Sequence, residues 1–119
     1  TIIENTSNVT WRDNIVIAAP GVPVVREIYR SGTNNGTSYL NNLFFGSNIW
    51  QYRSNNNPWD NPTSYNSVAA WTTARGGSVS NSRTGDPLLD SQYRPRAGSD
   101  AIGRASDGKN IGAAETTVA

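Results

Sequence analysis

A segment beginning at Val9, "VTWRDNIVIA", recurs without a gap as "TSYLNNLFFG" beginning at Thr37, an offset of 28 residues. The repeat matches Trp11 with Tyr39, Asp13 with Asn41, Asn14 with Asn42, Ile15 with Leu43, Val16 with Phe44, Ile17 with Phe45 and Ala18 with Gly46. A unit made of an aromatic, a polar residue, an Asn, an apolar trio and a small residue cannot bury its apolar side alone. It is expected to stack on its copy, each strand pairing with its equivalent and like side chains lying over like. In such a stack Asn14 and Asn42 form a ladder, because an Asn side chain both donates and accepts and can satisfy polar groups that are costly to bury.

Composition agrees with a chain of strands and turns. Of the 119 residues, 35% are hydrophobic and only 16% charged, so Asn, Ser, Thr and Gly take the place that Lys and Glu hold in helical proteins. This is the length of one domain. The net charge of +1 has no basic run behind it, which leaves nucleic acid without an electrostatic footprint. Cys, His and Met are all absent. That removes disulfides, a thiol nucleophile, an imidazole base and the softer metal ligands, so any chemistry falls to Arg, Lys, Tyr or carboxylates. No apolar run approaches the roughly 20 residues that span a bilayer, and "TIIENTSNVT" is not ordered like a secretory signal. Asn5, Asn8 and Asn35 each begin an Asn-x-Ser/Thr triplet, which marks a glycan acceptor in a secreted eukaryotic protein and arises by chance in a chain this rich in these residues.

Runs rich in Val, Ile, Thr and aromatics predict strands at Thr1–Asn5, Val9–Ala18, Val22–Tyr29, Ser38–Gly46 and Asn48–Tyr52. Between them lie "APG", "RSGTNNGTS" and "SNNNPWDNPTS", whose Gly, Asn and Pro favour turns. One helix is expected, over residues 66–76. Asn66 or Ser67 is its N-cap, Ala69, Ala70 and Ala74 are good formers, Arg75 lies in the last turn and Gly76 stops it.

The motif "YLNNLFFGS", the Trp50 to Trp59 loop, the "YNSVAAWTTARGG" helix and the closing "GDPLLDSQYRPRAGSDAIGRASDGKNIGAAE" together resemble the C-terminal coils of right-handed parallel β-helix proteins of the pectate-lyase-like superfamily. In the closing phrase the match runs through Gly85–Leu89, then Tyr93, Arg94, Pro95, Gly98, Ser99, Ala101 and Ile102, then Asp107, Gly108, Ile111, Gly112, Ala113 and Glu115. Asp100, Gly103 and Arg96 depart from it. The resemblance implies an all-β solenoid of about three to four coils: coils with loops over 1–65, the short helix at 66–76, and a terminal coil and C-terminal cap over 85–119. Leu88 and Leu89 would form its last core strand, with Ile102 and Ile111 as anchors. It also implies a secreted or extracellular protein acting on a polysaccharide, lyase-like or glycosidase-like, with most catalytic residues upstream of this chain. The alternative is a non-catalytic structural or glycan-binding module, tailspike-like or self-stacking.

The residues themselves name no catalytic group. In "REIYR" the side chains of Arg26, Ile28 and Arg30 alternate to one strand face and Glu27 and Tyr29 to the other. Two Arg on an outer face grip acidic sugars; the plainer expectation is a solvent-facing strand with an Arg–Glu surface pair. Trp50, Tyr52, Arg53 and Trp59, with Tyr65, are the densest aromatic group, suited either to stacking on sugar rings or to covering the core at a solenoid end. Lys109 reads as a turn lysine, and Asp86, Asp90, Asp100 and Asp107 as turn residues. No cofactor is evident; Ca²⁺ can bind clustered Asp, but no ordered calcium loop is present. So few coils lie near the minimum for a stable stack, and "TIIEN" would leave an open end. A fragment is expected, completed by further N-terminal coils or by copies of itself.

Overall fold

Left-handed corners divide the repeated segments. The computed structural model describes residues 2–4, 6–30, 32–55 and 60–112. Within them each repeat forms two short strands instead of one long one: β2 (Thr10–Arg12) and β3 (Ile15–Ile17), then β5 (Ser38–Leu40) and β6 (Leu43–Phe45). The breaks fall at Asp13 (φ 60°) and Asn41 (φ 54°), residue types that tolerate positive φ because their short polar side chains bond locally. The other elements are β1 (Ile2–Glu4), β4 (Val25–Tyr29), β7 (Trp50–Ser54), β8 (Thr63–Tyr65), α1 (Val68–Arg75), β9 (Val79–Ser80) and β10 (Arg83–Thr84). Ser67, not Asn66, caps α1, its side chain accepting from the Ala70 amide, and Gly76 ends the helix at φ 72°.

The 28-residue offset is the pairing register. Trp11 lies beside Tyr39 in the sheet ordered β2-β5-β9, and Ile15 beside Leu43 and Val16 beside Phe44 in the sheet ordered β10-β6-β3. Between these sheets Asn14 donates to Asn42 Oδ1 from both its amide (3.0 Å) and its side chain (3.1 Å). Asn42, 1% exposed, donates in turn to the Trp11 carbonyl (2.9 Å), and its amide donates to Ser82 Oγ (3.2 Å). A polar column thus runs through three successive turns with its buried groups satisfied.

The third sheet, ordered β1-β4-β7-β8, is parallel until β8, which runs antiparallel to β7. Here the architecture departs from the expected all-β right-handed parallel β-helix. The domain is mixed α/β, with parallel and antiparallel strands in three sheets, and the strands do not close into a solenoid. After β7 the chain reverses into β8 and then enters α1, which packs over β7 and β8. The expected terminal coil over 85–119 is also corrected: among the described residues no strand follows Thr84, only an isolated bridge between Leu89 and Pro95. Leu88 is not a core residue; it has φ 45° and is exposed. Ala101, Ala105 and Ile111 instead pack on Leu43 and Ile15, on the opposite side of the β6–β3 pair from the main core, while Ile102 is half-buried.

The main core gathers Ile3, Val24, Val25, Tyr29, Tyr39, Phe44, Trp50, Tyr52 and Trp71. Phe44 meets Trp50 and Trp71 edge-on, with centroids 5.8 and 6.2 Å apart. β1, β2 and β3 each form one edge of their sheets, and Ile2 is 71% exposed there.

The small residues of the repeat have a steric reason. Gly46 adopts φ 109°, and a Cβ at that position would stand 1.8 Å from the Ala18 carbonyl oxygen, because Ala18 and Phe45 are tied by a 2.9 Å backbone hydrogen bond. Gly46→Ala is therefore expected to lower stability by about 3 kcal/mol or more, read as a reduced midpoint in urea unfolding. An unchanged midpoint would contradict this packing.

Candidate functional site

Alternation along β4 sends Arg26 outward and Glu27 inward, and what the inward carboxylate meets is the most elaborate polar arrangement in the domain. Glu27 and Arg75 are both 0% exposed. Arg75 approaches in a two-point fork, Nε to Glu27 Oε1 at 2.9 Å and Nη2 to Oε2 at 3.1 Å. Trp71 Nε1 donates to Oε1 at 2.9 Å and the Tyr29 hydroxyl to Oε2 at 2.5 Å, so the carboxylate accepts four bonds. Arg75 also donates to the carbonyls of Thr37 (2.8 Å) and Gly77 (3.0 Å), and its guanidinium lies 4.9 Å from the Tyr39 ring centroid. Trp71 and Arg75, four residues apart, share one face of α1.

This environment shifts its titratable neighbours. Burial, followed by the hydrogen bond to Glu27, pushes the Tyr29 phenol up to about 12. Tyr39 is raised as well, first by burial and then by the Glu27 charge. For Arg75 burial opposes the charged form, but the hydrogen bonds and charge of Glu27 outweigh it and hold the guanidinium protonated. A carboxylate, a guanidinium and two phenols thus lie together, sealed from solvent. The arrangement holds structure; no substrate atom can reach it.

The residues expected to bind sugar separate into two sets. Trp50 is 0% and Tyr52 7% exposed; both belong to the core, so neither offers a free ring face. Arg26 and Arg30 are exposed, with Arg26 in register with Ile2 on one side and Gln51 on the other. Gln51 is followed across the sheet by Ser64, to which its side chain donates at 3.3 Å. Ile28, in the next outward row between Glu4 and Arg53, is 6% exposed. The expected surface Arg–Glu pair is replaced by the buried Glu27–Arg75 pair. Arg53 is half-buried and donates through Nη1 to the Asp60 carbonyl at 2.6 Å. It helps line a hollow of about 400 Å³ with Tyr52, Ser54, Asn55, Asp60, Asn61, Thr63 and Tyr65, so a guanidinium and a carboxylate share it. Trp59 lies outside the described residues, as does Asn5. Among the described residues no group of three acidic side chains gathers as a metal site, and no helix is long and apolar enough to cross a membrane.

Arg75 is the residue that sequence reasoning placed as a helix-end charge and the fold made central. The available signal was its spacing from Trp71 on one helix face, together with the inward position of Glu27. Comparison with protein families, with characterised proteins and with solved structures finds no match for this chain.

Arg75→Met leaves Glu27 buried without its counter-charge and is expected to cost roughly 3–5 kcal/mol. The double variant with Glu27→Gln recovers part of that loss, since no charge then remains buried. Urea unfolding of the three proteins checks both statements, and a single variant as stable as the parent would refute the first. The tyrosines set an alkaline limit. Below pH 10 both folded and unfolded chains hold the Tyr29 proton; from there to about 12 only the folded chain keeps it. Stability is therefore complete below pH 10 and falls as pH rises, by up to about 1.4 kcal/mol per pH unit for this group. Thermal unfolding followed across that range should show the decline, and Tyr29→Phe should make it shallower.

Proposed function

We propose that the chain is a non-catalytic carbohydrate-binding module that holds an extended acidic polysaccharide, outside the cell, across the outer face of the β1-β4-β7-β8 sheet. The observation that carries this reading is the row of exposed Arg26, half-buried Gln51 and exposed Ser64 crossing three strands beside the polar hollow at Arg53. A guanidinium offers a planar fork of donors that matches a uronate carboxylate, while amide and hydroxyl side chains match sugar hydroxyls. The strands fix the spacing of these groups, so an extended chain meets a rigid surface. Catalysis is disfavoured by where the reactive groups lie: the cluster of carboxylate, phenols and guanidinium is wholly buried, and the Glu27 carboxylate is held by Arg75, Trp71 and Tyr29. Attachment to a larger assembly belongs to β1, β2 and β3, which are edge strands among the described residues and where strands of another polypeptide can extend the sheets.

The test is affinity electrophoresis through gels containing polygalacturonate or a neutral glucan. Retardation is expected only with the acidic polymer, and Arg26→Ala should weaken it about five- to tenfold, as loss of one charge-assisted contact does. Equal retardation in both gels, or none in either, would sink the reading. So would an Arg26→Ala protein that binds like the parent.

A further inference from the structure

Three left-handed corners occupy equivalent places in successive turns of the chain: Asp13 (φ 60°), Asn41 (φ 54°) and Asn81 (φ 52°). The segment around Arg104 and Ser106 serves the first two. Asp13 accepts from the Ser106 amide (2.7 Å) and hydroxyl (2.6 Å), and Asn41 Nδ2 donates to the Arg104 carbonyl (2.9 Å). The third corner is left open. Among the described residues the side chain of Asn81 makes no hydrogen bond, and beside it lies a hollow of about 370 Å³ lined by Asn41, Asn81, Ser82, Arg83 and Arg104.

We infer that this hollow is an oxyanion-binding site, distinct from the outer sheet face, that takes the carboxylate or sulfate group of an acidic ligand between Arg83 and Arg104. Donors dominate its lining. Arg83 gives one amino group, Nη2, to Asp100 at 3.2 Å, while its Nε is shielded from water without a hydrogen-bond partner. The Arg104 guanidinium is exposed and enters no ion pair among the described residues. Ser82 Oγ accepts from the Asn42 amide at 3.2 Å, which leaves its hydroxyl proton to donate outward. Asn81 adds a side-chain amide. The residues lining the hollow include two guanidinium groups and no carboxylate, and of the two only Arg83 has an ion-pair partner, Asp100, among the described residues; an oxyanion both neutralises the remaining charge and accepts from these donors. The backbone fixes the arrangement, because Arg83 continues from the buried Asn42 rung through a 2.9 Å bond to the Asn42 carbonyl.

The experiment is an amide NMR titration of the full chain with sodium sulfate, with sodium chloride at matched ionic strength as control. Saturable shifts are expected at Asn81, Ser82, Arg83 and Arg104 with sulfate alone. Arg104→Ala should raise the dissociation constant at least about fivefold, as loss of a charged donor does. Asn81→Gly, which keeps the left-handed corner while removing the amide, should also weaken binding. A short oligogalacturonide is titrated in parallel. Binding at least tenfold tighter than sulfate identifies a saccharide carboxylate as the ligand, and equal or weaker binding identifies a free oxyanion. The inference falls if sulfate produces no saturable shift at these residues, or if Arg104→Ala leaves the affinity unchanged. Arg26→Ala should not alter sulfate binding here, so failure of the polysaccharide reading and failure of this site are separately visible.

Discussion

The Glu27–Arg75 pair is the interaction from which the rest of the domain takes its arrangement. A buried charge is tolerated only when it is paired and its remaining hydrogen-bonding capacity is used. Glu27 meets that condition through donors from β4 itself and from two positions on α1, and Arg75 through the carbonyls of Thr37 and Gly77. These contacts tie α1 to β4, to the approach into β5 and to the turn before β9. Trp71, fixed by the same carboxylate, then meets the rings of Tyr39 and Phe44 in T-shaped contacts. The apolar core and the polar centre are therefore one construction. Moving the helix would break both.

A second set of polar contacts, the column of Asn14, Asn42 and Ser82, organises the opposite corner. It lets three short turns of chain lie in register although each strand there is only two or three residues long. Strands so short have little pairing energy of their own, and side-chain hydrogen bonds between turns supply part of what the ladders lack. The left-handed residue just before each Asn or Ser rung turns the backbone from one sheet into the next. The segment after Thr84 follows these corners, closing over Leu43 with Ala101, Ala105 and Ile111. Its many turns are the means by which residues 85–112 cross the sheet, with no strand among these described residues.

The division between inside and outside also separates stability from recognition. Inward residues Val25, Glu27, Tyr29, Trp50 and Tyr52 of β4 and β7 are buried, whereas Arg26 and Gln51 on the outward side face solvent or neighbouring polar side chains. Recognition, on the reading advanced above, belongs to the outward face and to the open third corner.

Much of this was legible in the residues alone. The gapless repeat from Val9 to Thr37 determined which strands pair and in what register, because like side chains stack most favourably over like. The helix over Val68–Arg75 carried its own start and stop in Ser67 and Gly76, and the alternation in "REIYR" put Arg26 and Glu27 on opposite strand faces, while the surface Arg–Glu pair expected there gave way to a buried Glu27. Local signals did not determine what Glu27 would meet. Its partner lies 48 residues away, and only the docking of α1 brings Arg75 to it. Nor did they show that β8 would run antiparallel or that the closing phrase around Leu88 would lie as turns against β6 and not as a further strand. Strand propensity describes a short segment, whereas direction and face are chosen by the surface left exposed elsewhere in the chain. Trp50 shows the same limit: an aromatic beside polar loops suits a sugar or a core equally well, and the space beside Phe44, which exists only in the folded domain, made it core.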